Sequence, residues 1–440
     1  MHIPEPIDIL LHARWIIPVE PMGAVYEDHA IAIKAGRVLD ILSSHEADER
    51  YAPKQNQRFD RHVLIPGLIN AHTHAAMTLF RGLADDLPLM EWLNHHIWPA
   101  EKQWVSGEFV RDGVRLAVAE MLRGGTTCFN DMYFFPDQTA SVAMEAGIRA
   151  VIGLIVLDFP TPWARDAHEY LVKGERVHDE LRHHPLICTA FAPHAPYSVA
   201  DEALKRIAVL AEVLDIPIHM HVHETAQEVS EAVAARGERP LTRLDRLGLL
   251  SPRLQAVHMT QLNETEIARI AECGLQVIHC PHSNMKLASG FCSVARLVQG
   301  GVNVAVGTDG AASNNRLDMF GEMRTAALFA KAVSGDACAV PAALALQMAT
   351  LNGARALGIE NITGSFLPGK MADIVAMDLG ECETQPIYDP LSQVVYAAGR
   401  EQVSDVWVAG NKVVQDRRLV TLDEDVTLAR ARGWRARLRH

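Results

Sequence analysis

The amino-acid sequence predicts an α/β protein in which eight parallel strands and their helices form a barrel, with a smaller β domain beside it. Between about residues 62 and 362, short apolar runs rich in β-branched residues alternate with longer amphipathic stretches, the pattern of repeated β-α units around a parallel sheet. Eight such runs are present, and eight strands close a β/α barrel. Residues 1–61 and 363–440 instead have the pattern of strands joined by glycine turns.

Each of the eight apolar runs precedes a stretch that returns the chain to the next strand. In chain order the runs are HVLIPGLINA, TTCFNDM, RAVIGLIVLD, LICTAFAP, IPIHMHVH, LQAVHMT, LQVIHCP and VNVAVGTD. Residues 106–125 and 200–215 are helix-like, and the second stretch ends just before a proline, as helices tend to. We expect residues 1–61 and 363–440 to form the two parts of one small β domain, with a C-terminal tail, and residues 62–362 to form the barrel.

Composition and charge exclude several classes of protein. The 440 residues are 49% hydrophobic and 22% charged, which is ordinary for a globular protein. The formal net charge of −13 argues against a nucleic-acid partner, which needs a basic face. The basic cluster at residues 430–440 is interpreted as a solvated final helix turn or tail rather than as an arm that binds nucleic acid.

Cysteine usage and hydropathy favour a cytoplasmic location. The seven cysteines are scattered and include no C-x-x-C pair, so they predict neither a disulfide framework nor a cysteine zinc site. The N-terminal stretch lacks the basic and apolar regions of a signal peptide, and no apolar run approaches the roughly 18 residues of a membrane span. We therefore expect a cytoplasmic protein.

Side chains suited to metal binding and acid–base chemistry follow six of the predicted strands. The active site of a β/α barrel forms at the carboxyl ends of its strands, so these residues are expected to meet. Because alternate strand residues share a face, His72 and His74 project together at the end of the first strand. So many histidines with two acids indicate a site rather than packing. The residues are His72, His74, His194, His221, His223, Glu224, His258, His279, His282 and Asp309.

Imidazoles together with one carboxylate suit a divalent metal ion, most of all zinc. We expect His72, His74, one histidine of the fifth strand and Asp309 to supply the ligands. Asp309 ends an alternating set of small or polar residues in the eighth strand. Its carboxylate therefore points into the barrel, where it needs a cation as partner.

Three histidines of the fifth strand, His219, His221 and His223, share one face and compete for the remaining ligand position. At a rise of about 3.3 Å per residue, His219 would lie about 6.6 Å below His221. That is too deep for a metal ion held at the rim of the barrel. Spacing alone does not separate His221 from His223.

Three side chains near the predicted metal site have the chemistry that hydrolysis needs. A bound metal ion lowers the pKa of its water and supplies hydroxide as nucleophile. Glu224, just past the fifth-strand ligand, is placed to move a proton to the substrate, and Asp309 to take one from the attacking water. We expect His258 to orient that water or to bond the tetrahedral oxygen.

The motifs that carry these residues resemble those of the amidohydrolase superfamily over nearly the whole chain. PGLINAHTH, HVHET, VHMT, HCPHSNMKLASG and GTDGAASNN occur in the order that the superfamily has. The resemblance implies a distorted (β/α)8 TIM barrel with a small β-sandwich built from both termini. It also assigns His221 as the fifth-strand ligand and Glu224 as the catalytic acid. The motif APHAPYS has no lysine where dinuclear relatives carry a carboxylated one, so one metal ion is expected.

Within the superfamily, the chain is similar to the methylthioadenosine/S-adenosylhomocysteine deaminases. The similarity lies in RGLADDLPLMEWLNHHIWPAE, DMYFFP, APHAPYS, SNMKLASG and GTDGAASNNRLDMFGEMR. It implies that Glu101 holds the ribose hydroxyls and that His194 contacts the nucleoside. Glu224 and Asp309 are expected to contact the substrate as well. The implied reaction is hydroxide attack on adenine C6, protonation of N1 by Glu224 and loss of ammonia.

The residues after the third strand favour one substrate within this family. Relatives that accept S-adenosylhomocysteine have arginines there for its carboxylate, whereas VIGLIVLDFPTPWARD offers only Arg165. We therefore expect 5'-methylthioadenosine to be preferred over S-adenosylhomocysteine, with adenosine a weaker substrate. This small nucleoside is the expected partner, with no nucleic acid or membrane, and the resemblance implies a homo-oligomer.

Two other functions remain open from the sequence. The same barrel can deaminate guanine or cytosine or hydrolyse a substituted triazine, and none of these rings has a ribose for Glu101 to hold. A non-catalytic scaffold is the other alternative, although such a protein should have lost some of the ligands or the acid, and all are present. Zinc deaminases with H-x-E and P-C-x-x-C motifs are excluded because the cysteine pair is absent.

Overall fold

A computed structural model describes residues 3–438, and its strands form two sheets of eight. The strands are β1 Glu5–Ile16, β2 Tyr26–Lys34, β3 Arg37–Ser43, β4 Tyr51–Pro66, β5 Leu68–Thr73, β6 Thr126–Tyr133, β7 Arg149–Val156, β8 Ile187–Pro193, β9 Ile218–Val222, β10 Leu254–His258, β11 Gln276–His279, β12 Asn303–Val306, β13 Ile374–Asp378, β14 Val403–Val408, β15 Asn411–Gln415 and β16 Arg418–Leu419.

One helix lies between β3 and β4 of the terminal sheet, and the others lie between the barrel strands or after them. They are α1 Ser44–Arg50, α2 Leu89–Trp92, α3 Trp98–Trp104, α4 Gly107–Arg123, α5 Pro136–Ala146, α6 Ala167–Leu181, α7 Asp201–Leu214, α8 Ala226–Arg236, α9 Pro240–Arg246, α10 Glu264–Cys273, α11 Pro281–Lys286, α12 Val294–Gln299, α13 Met319–Ser334, α14 Ala342–Met348, α15 Leu351–Ala356, α16 Pro390–Ser392 and α17 Glu424–Leu438. Short 3-10 helices span Ala75–Phe80, Cys382–Thr384 and Arg400–Gln402, and single π-helical turns span Leu93–Ile97 and Gln393–Ala397.

The barrel sheet consists of β5 to β12 in chain order, each strand parallel to the next. This confirms the predicted α/β barrel. All eight predicted runs contain an observed strand, and the two predicted helices are observed as α4 and α7. Apolar side chains from the strands and from the surrounding helices pack into one large core.

The first predicted run differs from the structure, because it is divided between the two sheets. Its first residues belong to β4 of the terminal sheet, and the barrel strand β5 begins only at Leu68. The chain crosses between the sheets at Gly67, whose N–H donates to the carbonyl of Asp373 at 2.9 Å. A Cβ at Gly67 would lie 1.9 Å from Oγ1 of Thr127, so only glycine fits this crossing.

The barrel is closed without a backbone ladder between β12 and β5 in the part of the chain that the structure describes. Side-chain and loop contacts join the two strands instead. Oδ1 of Asn70 accepts from the N–H of Thr308 at 2.9 Å, and the N–H of Asp309 donates to the carbonyl of His72 at 3.0 Å. The strand that carries two of the predicted ligands is therefore tied to the loop that carries a third.

The second sheet is built from both ends of the chain, as the sequence predicts. Its order is β16, β15, β14, β13, β4, β1, β2, β3, one continuous sheet in which β13 pairs antiparallel with β4. The expected division at residues 61 and 362 stays a prediction, and β4 continues through the first of these positions to Pro66.

The basic C-terminal segment differs from the expected solvated turn. It forms the 15-residue helix α17, which packs against α4. Trp434 is buried, and its indole N–H donates to a carboxylate oxygen of Asp112 at 3.0 Å, while Arg430 donates to the other oxygen at 2.8 Å. Residues 439 and 440 of the predicted tail lie outside the described residues. Among the described residues, no helix is long and apolar enough to cross a membrane.

Candidate metal centre and active site

Four atoms of the kind that bind metal ions meet at the carboxyl end of the barrel. Nε2 of His72 and Nε2 of His74 each lie 3.3 Å from Oδ1 of Asp309. Nε2 of His221 lies 3.2 Å from Nε2 of His72. Ligand atoms about 2.05 Å from a tetrahedral zinc ion are about 3.3 Å apart. The three measured distances match this spacing, and two groups that could hold a divalent ion, His72–His74–Asp309 and His72–His221–His258, share His72. The four residues expected from the sequence lie within these two groups.

Backbone carbonyls fix the orientation of two of these imidazole rings. Nδ1 of His74 donates to the carbonyl of Met132 at 2.5 Å, and Nδ1 of His221 donates to the carbonyl of His194 at 2.8 Å. Each ring therefore carries its proton on Nδ1 and presents the lone pair of Nε2 to the cluster. Metal-binding histidines are commonly held by such hydrogen bonds at the outer nitrogen.

Hydrogen bonds to both oxygens hold the Asp309 carboxylate in place. Its Oδ2 accepts from the hydroxyls of Ser283 at 2.6 Å and Ser313 at 2.8 Å, and its Oδ1 accepts from the N–H of Gly310 at 2.8 Å. The backbone of Asp309 has φ of +61°, which is uncommon for a residue with a side chain. Such backbone strain tends to occur where a side chain must be aimed at a site.

Burial sets the protonation states of this cluster in favour of a cation. Desolvation lowers the pKa of His72 to about 4 and that of His221 well below its ordinary value. Burial opposes ionisation of Asp309, but the hydrogen bond from His72 and the nearby imidazoles hold the pKa of its carboxyl well below the usual range. Neutral imidazoles and an ionised carboxylate are the forms that bind metal ions.

Glu224 and His258 lie beside the cluster. The Glu224 carboxyl is buried, and desolvation together with the charge of Asp309 raises its pKa to about 8. A carboxylic acid that keeps its proton at neutral pH can act as a general acid. Oε2 of Glu224 lies 3.8 Å from Nε2 of His258, whose Nδ1 is 2.8 Å from Oδ1 of Asn284.

The other two candidate histidines of β9 and its end lie apart from the ligand atoms. Nε2 of His219 is 2.8 Å from Nδ1 of His72, so His219 lies behind the ring that faces the cluster. Nε2 of His223 accepts from the N–H of Leu241 at 3.1 Å and lies 3.8 Å from the carboxylate of Glu266. Geometry thus separates His221 from His223, which spacing in the sequence did not.

The two histidines at the end of β11 are not part of the cluster of ligand atoms. His282 lies between Glu322, 2.9 Å from its Nδ1, and Thr325, 2.7 Å from its Nε2. His279 is buried, and its ring makes no hydrogen bond within the described residues. Neither histidine lines the cavity at the barrel mouth.

A cavity of about 630 Å³ opens above the cluster and brings the expected substrate residues together. Oε1 of Glu101, on α3, accepts from the hydroxyl of Tyr133 at 2.7 Å, and burial raises the Glu101 pKa to about 7. Nδ1 of His194 shares a hydrogen bond with Oγ of Ser198 at 2.9 Å. The polar residues lining the cavity include His74, Glu101, His194, His221, Glu224, His258 and Asp309.

The outer wall of this cavity is mostly apolar. Trp98 and Phe159 face each other there, with ring centroids 6.2 Å apart. Lys102 is the sole lysine or arginine that lines the cavity among residues 3–438. Arg165, the candidate from the sequence, does not line it. Its side chain is 78% exposed and lies 3.4 Å from Glu169.

Several supporting residues were missed from the sequence. Ser283 and Ser313 hold Asp309, Asn284 contacts His258, and Tyr133 contacts Glu101. Ser283, Asn284 and Ser313 lie in the motifs HCPHSN and GTDGAAS, so their positions next to candidate ligands were a usable signal. Tyr133 ends the buried strand β6, and no local pattern connects it with Glu101.

Comparison with known proteins gives consistent matches over most of the chain. The model of the amidohydrolase family matches residues 63–413. A 5-methylthioadenosine/S-adenosylhomocysteine deaminase of Teredinibacter turnerae is 50% identical over 432 residues, which cover 98% of this chain and 98% of that protein. A 5'-deoxyadenosine deaminase of Methanothermobacter thermautotrophicus is 46% identical over 381 residues, which cover 86% of this chain and 87% of that protein.

A solved structure agrees with the sequence relatives. The crystal structure of an adenosine deaminase from Xanthomonas campestris with bound zinc superposes on this chain with a TM-score of 0.98. Its sequence identity is 54%, and the match covers 99% of this chain and 100% of that chain. The chain therefore belongs to the amidohydrolase family and, within it, to the family of the 5-methylthioadenosine/S-adenosylhomocysteine deaminases.

Proposed function

We propose that this protein is a zinc-dependent hydrolase that deaminates an adenine nucleoside, with 5'-methylthioadenosine as its main substrate. The products are 5'-methylthioinosine and ammonia. One cavity carries the proposal, because His74, His221 and Asp309 of the cluster line it together with the buried Glu224 and with Glu101. The names of the relatives support deamination of this class of nucleoside.

His72, His74, His221 and Asp309 would hold one divalent ion. When bound, such an ion acts as a Lewis acid that makes water a nucleophile at neutral pH. The hydrogen bonds at the outer nitrogens of His74 and His221 keep the inner nitrogens aimed at the ion. The motif APHAPYS at the end of β8 has no lysine, which is consistent with a single ion.

The protein groups around the cluster supply the proton transfers. Asp309 accepts a proton from the water that attacks C6 of the adenine ring. Glu224, which burial keeps protonated near neutral pH, donates its proton to N1. His258, whose Nδ1–H donates to Oδ1 of Asn284, keeps the lone pair of Nε2 free to accept a hydrogen bond from the attacking water and so orients it. Asp309 passes the proton that it accepted to the exocyclic nitrogen, and ammonia leaves. The proton of the C6 hydroxyl returns to Glu224, so that water and nucleoside give the hypoxanthine nucleoside and ammonia.

Two further residues hold the nucleoside. Glu101 accepts hydrogen bonds from the ribose hydroxyls, and His194 contacts the base through the nitrogen that Ser198 leaves free. The apolar outer wall favours a thiomethyl group over the charged amino-acid end of S-adenosylhomocysteine, because a buried carboxylate needs a cationic partner. Arg165 points away from the cavity and pairs with its own neighbours.

The first test is the ultraviolet absorbance of 5'-methylthioadenosine incubated with zinc-loaded protein. We expect the adenine spectrum to change into that of hypoxanthine. A Glu224→Gln variant that retains zinc is expected to lose activity roughly a hundredfold or more, the contribution of a general acid. An unchanged spectrum with metal present would contradict the proposal.

Substrate rank is tested separately. We expect kcat/KM to be highest for 5'-methylthioadenosine, lower for S-adenosylhomocysteine and lowest for adenosine. A higher value for S-adenosylhomocysteine than for 5'-methylthioadenosine would contradict the argument from the apolar wall. Guanine, cytosine and substituted triazines are the alternatives to assay if no nucleoside reacts.

We further propose a cytoplasmic location, a homo-oligomeric state and the three segments 1–61, 62–362 and 363–440. The cytoplasm is supported by the seven cysteines, all of which are free. Light scattering after size exclusion tests the oligomeric state, with a mass of a single 48.4 kDa chain as the contrary result.

A further inference from the structure

Glu101 and Tyr133 come from two differently supported parts of the fold. Tyr133 ends the barrel strand β6 and is 5% exposed, so the strand and its neighbours fix its ring. Glu101 lies on the seven-residue helix α3, outside both sheets, directly after the π-helical turn Leu93–Ile97. The hydroxyl of Tyr133 donates to Oε1 of Glu101 at 2.7 Å. This contact joins a short irregular segment to the rigid barrel.

The tyrosine is the sole hydrogen-bond partner of the Glu101 side chain among residues 3–438. The helix by itself does not fix the direction of a glutamate, which has three rotatable side-chain bonds. Burial favours the neutral acid, and the hydrogen bond from Tyr133 acts against this by stabilising the carboxylate. Without the hydroxyl of Tyr133, the side chain of Glu101 would be free to rotate, and its carboxylate form would be less stable.

The arrangement also leaves one oxygen of Glu101 without a hydrogen-bond partner among the described residues. Oε1 is occupied by Tyr133, whereas Oε2 accepts no hydrogen bond from the described residues. Both side chains line the cavity that contains the metal-type cluster. One oxygen is therefore anchored and the other is presented as an acceptor.

We propose that Tyr133 is a positioning residue, which holds the Glu101 carboxylate so that its free oxygen accepts hydrogen bonds from the ribose diol of the substrate. The proposal rests on the proposed function, since only a nucleoside substrate brings such a diol. Tyr133 acts through Glu101 and takes no part in proton transfer at the base.

The test compares two substrates on one Tyr133→Phe preparation. Adenosine and 2',3'-dideoxyadenosine differ only in the diol, so their ratio of kcat/KM isolates its recognition. Loss of one hydrogen bond to a charged group lowers kcat/KM for adenosine about tenfold, mainly through KM. The value for 2',3'-dideoxyadenosine is expected to stay near that of the wild type. Any unfolded fraction of the variant cancels in the ratio.

Tyr197→Phe is the matched control. Tyr197 lines the same cavity, but its hydroxyl makes no hydrogen bond with Glu101, so the ratio between the two substrates should not change. Glu101→Gln should reduce the same ratio as Tyr133→Phe, and the double variant should show little further loss, since both changes disable one interaction.

The outcomes separate the two proposals. If the zinc-loaded wild-type protein deaminates no adenine nucleoside, the proposed function fails and the role of Tyr133 fails with it. If the wild type is active and Tyr133→Phe loses the same factor on both substrates, only the positioning role is overturned. A loss confined to adenosine supports it.

Discussion

The ring of His72 is held differently from the other candidate ligands, by a second histidine instead of a carbonyl. As a ligand through Nε2, His72 carries its proton on Nδ1 and donates it to Nε2 of His219 at 2.8 Å. His219 then has its own proton on Nδ1, which is buried without a hydrogen-bond partner. An unpartnered buried donor costs about 1–3 kcal/mol. We attribute this cost to the role of His219, which keeps His72 in the tautomer that binds metal through Nε2.

Replacement of His219 by leucine is therefore expected to weaken zinc binding. The His72→His219 hydrogen bond is lost, and support of this kind typically contributes 10- to 100-fold, roughly, in metal affinity. Competition with a chromogenic chelator measures the zinc dissociation constant. His279→Leu is the control, because His279 is also buried but makes no hydrogen bond to a candidate ligand. Equal affinity of His219→Leu and the wild type would show that His219 only fills space.

The titration of Glu101 should appear in the kinetics of diol recognition. Burial raises its pKa to about 7. The neutral acid has less acceptor capacity than the carboxylate, so protonation below that pH weakens the hold on the ribose. We expect the kcat/KM ratio of adenosine to 2',3'-dideoxyadenosine to fall as the pH drops below about 7 and to level off above it. A ratio that is constant across this range would contradict the assignment.

Elements that carry a local pattern could be predicted from the sequence, and elements defined by distant contacts could not. His72, His74 and Asp309 could be predicted as candidate ligands because the β-branched runs of their strands end at these polar residues. Spacing did not decide whether His221 or His223 is the fifth-strand ligand. Strand periodicity places both on one face and says nothing about how the backbone turns after the strand. The split of the first run at Gly67 escaped prediction because it depends on contact with Thr127.

Helix α17 illustrates the same limit. Its arginines suggest a solvated segment, but Trp434 donates to Asp112, a residue 322 positions earlier. The basic residues mostly face solvent, while one indole and one guanidinium share a single buried carboxylate on α4. A contact over that distance leaves no trace in local composition, so the docked helix could not be told from a free tail.

Loss of the shared carboxylate is expected to destabilise the protein. Asp112→Ala leaves the buried indole N–H of Trp434 without an acceptor, at a cost of about 1–3 kcal/mol in the free energy of unfolding. Urea unfolding followed by tryptophan fluorescence measures the change. Glu108→Ala is the control, because that exposed carboxylate lies 3.6 Å from Arg437 and should contribute less than about 1 kcal/mol. Equal effects of the two changes would contradict this role of Asp112.

At the scale of the whole molecule, a buried ion pair connects the barrel with the terminal sheet. Arg149, at the start of β7, donates to both carboxylate oxygens of Asp373, just before β13, at 3.2 to 3.3 Å. The side chains are 3% and 0% exposed. Asp373 also accepts from Thr363 at 2.7 Å and from the N–H of Ala409 at 2.6 Å. One carboxylate therefore ties together four separate segments.

Removal of this carboxylate should be among the most destabilising single changes. Asp373→Ala leaves the guanidinium of Arg149 buried and unpaired, which typically costs about 3–5 kcal/mol. The free energy of unfolding in urea tests this expectation. Glu180→Ala, which breaks the exposed pair with Arg176, is the control and should change stability little. If Asp373→Ala cost no more than the control, the pair would not join the two sheets energetically.

The barrel itself has a seam that a bound ion would bridge. No backbone ladder joins β12 to β5 in the described part of the chain, yet His72 and His74 lie on one side of the seam and Asp309 on the other. A ligand that binds only the folded state stabilises it by about 2.7 kcal/mol at a concentration of 100 times its Kd.

We expect chelation to lower the Tm by several degrees and to abolish activity, and zinc to restore both. Asp309→Asn should lower the Tm of the zinc-loaded protein toward that of the chelated wild type, and chelation should then change it little. A Tm that is independent of zinc in the wild type, despite bound metal, would show that the seam is stable by itself.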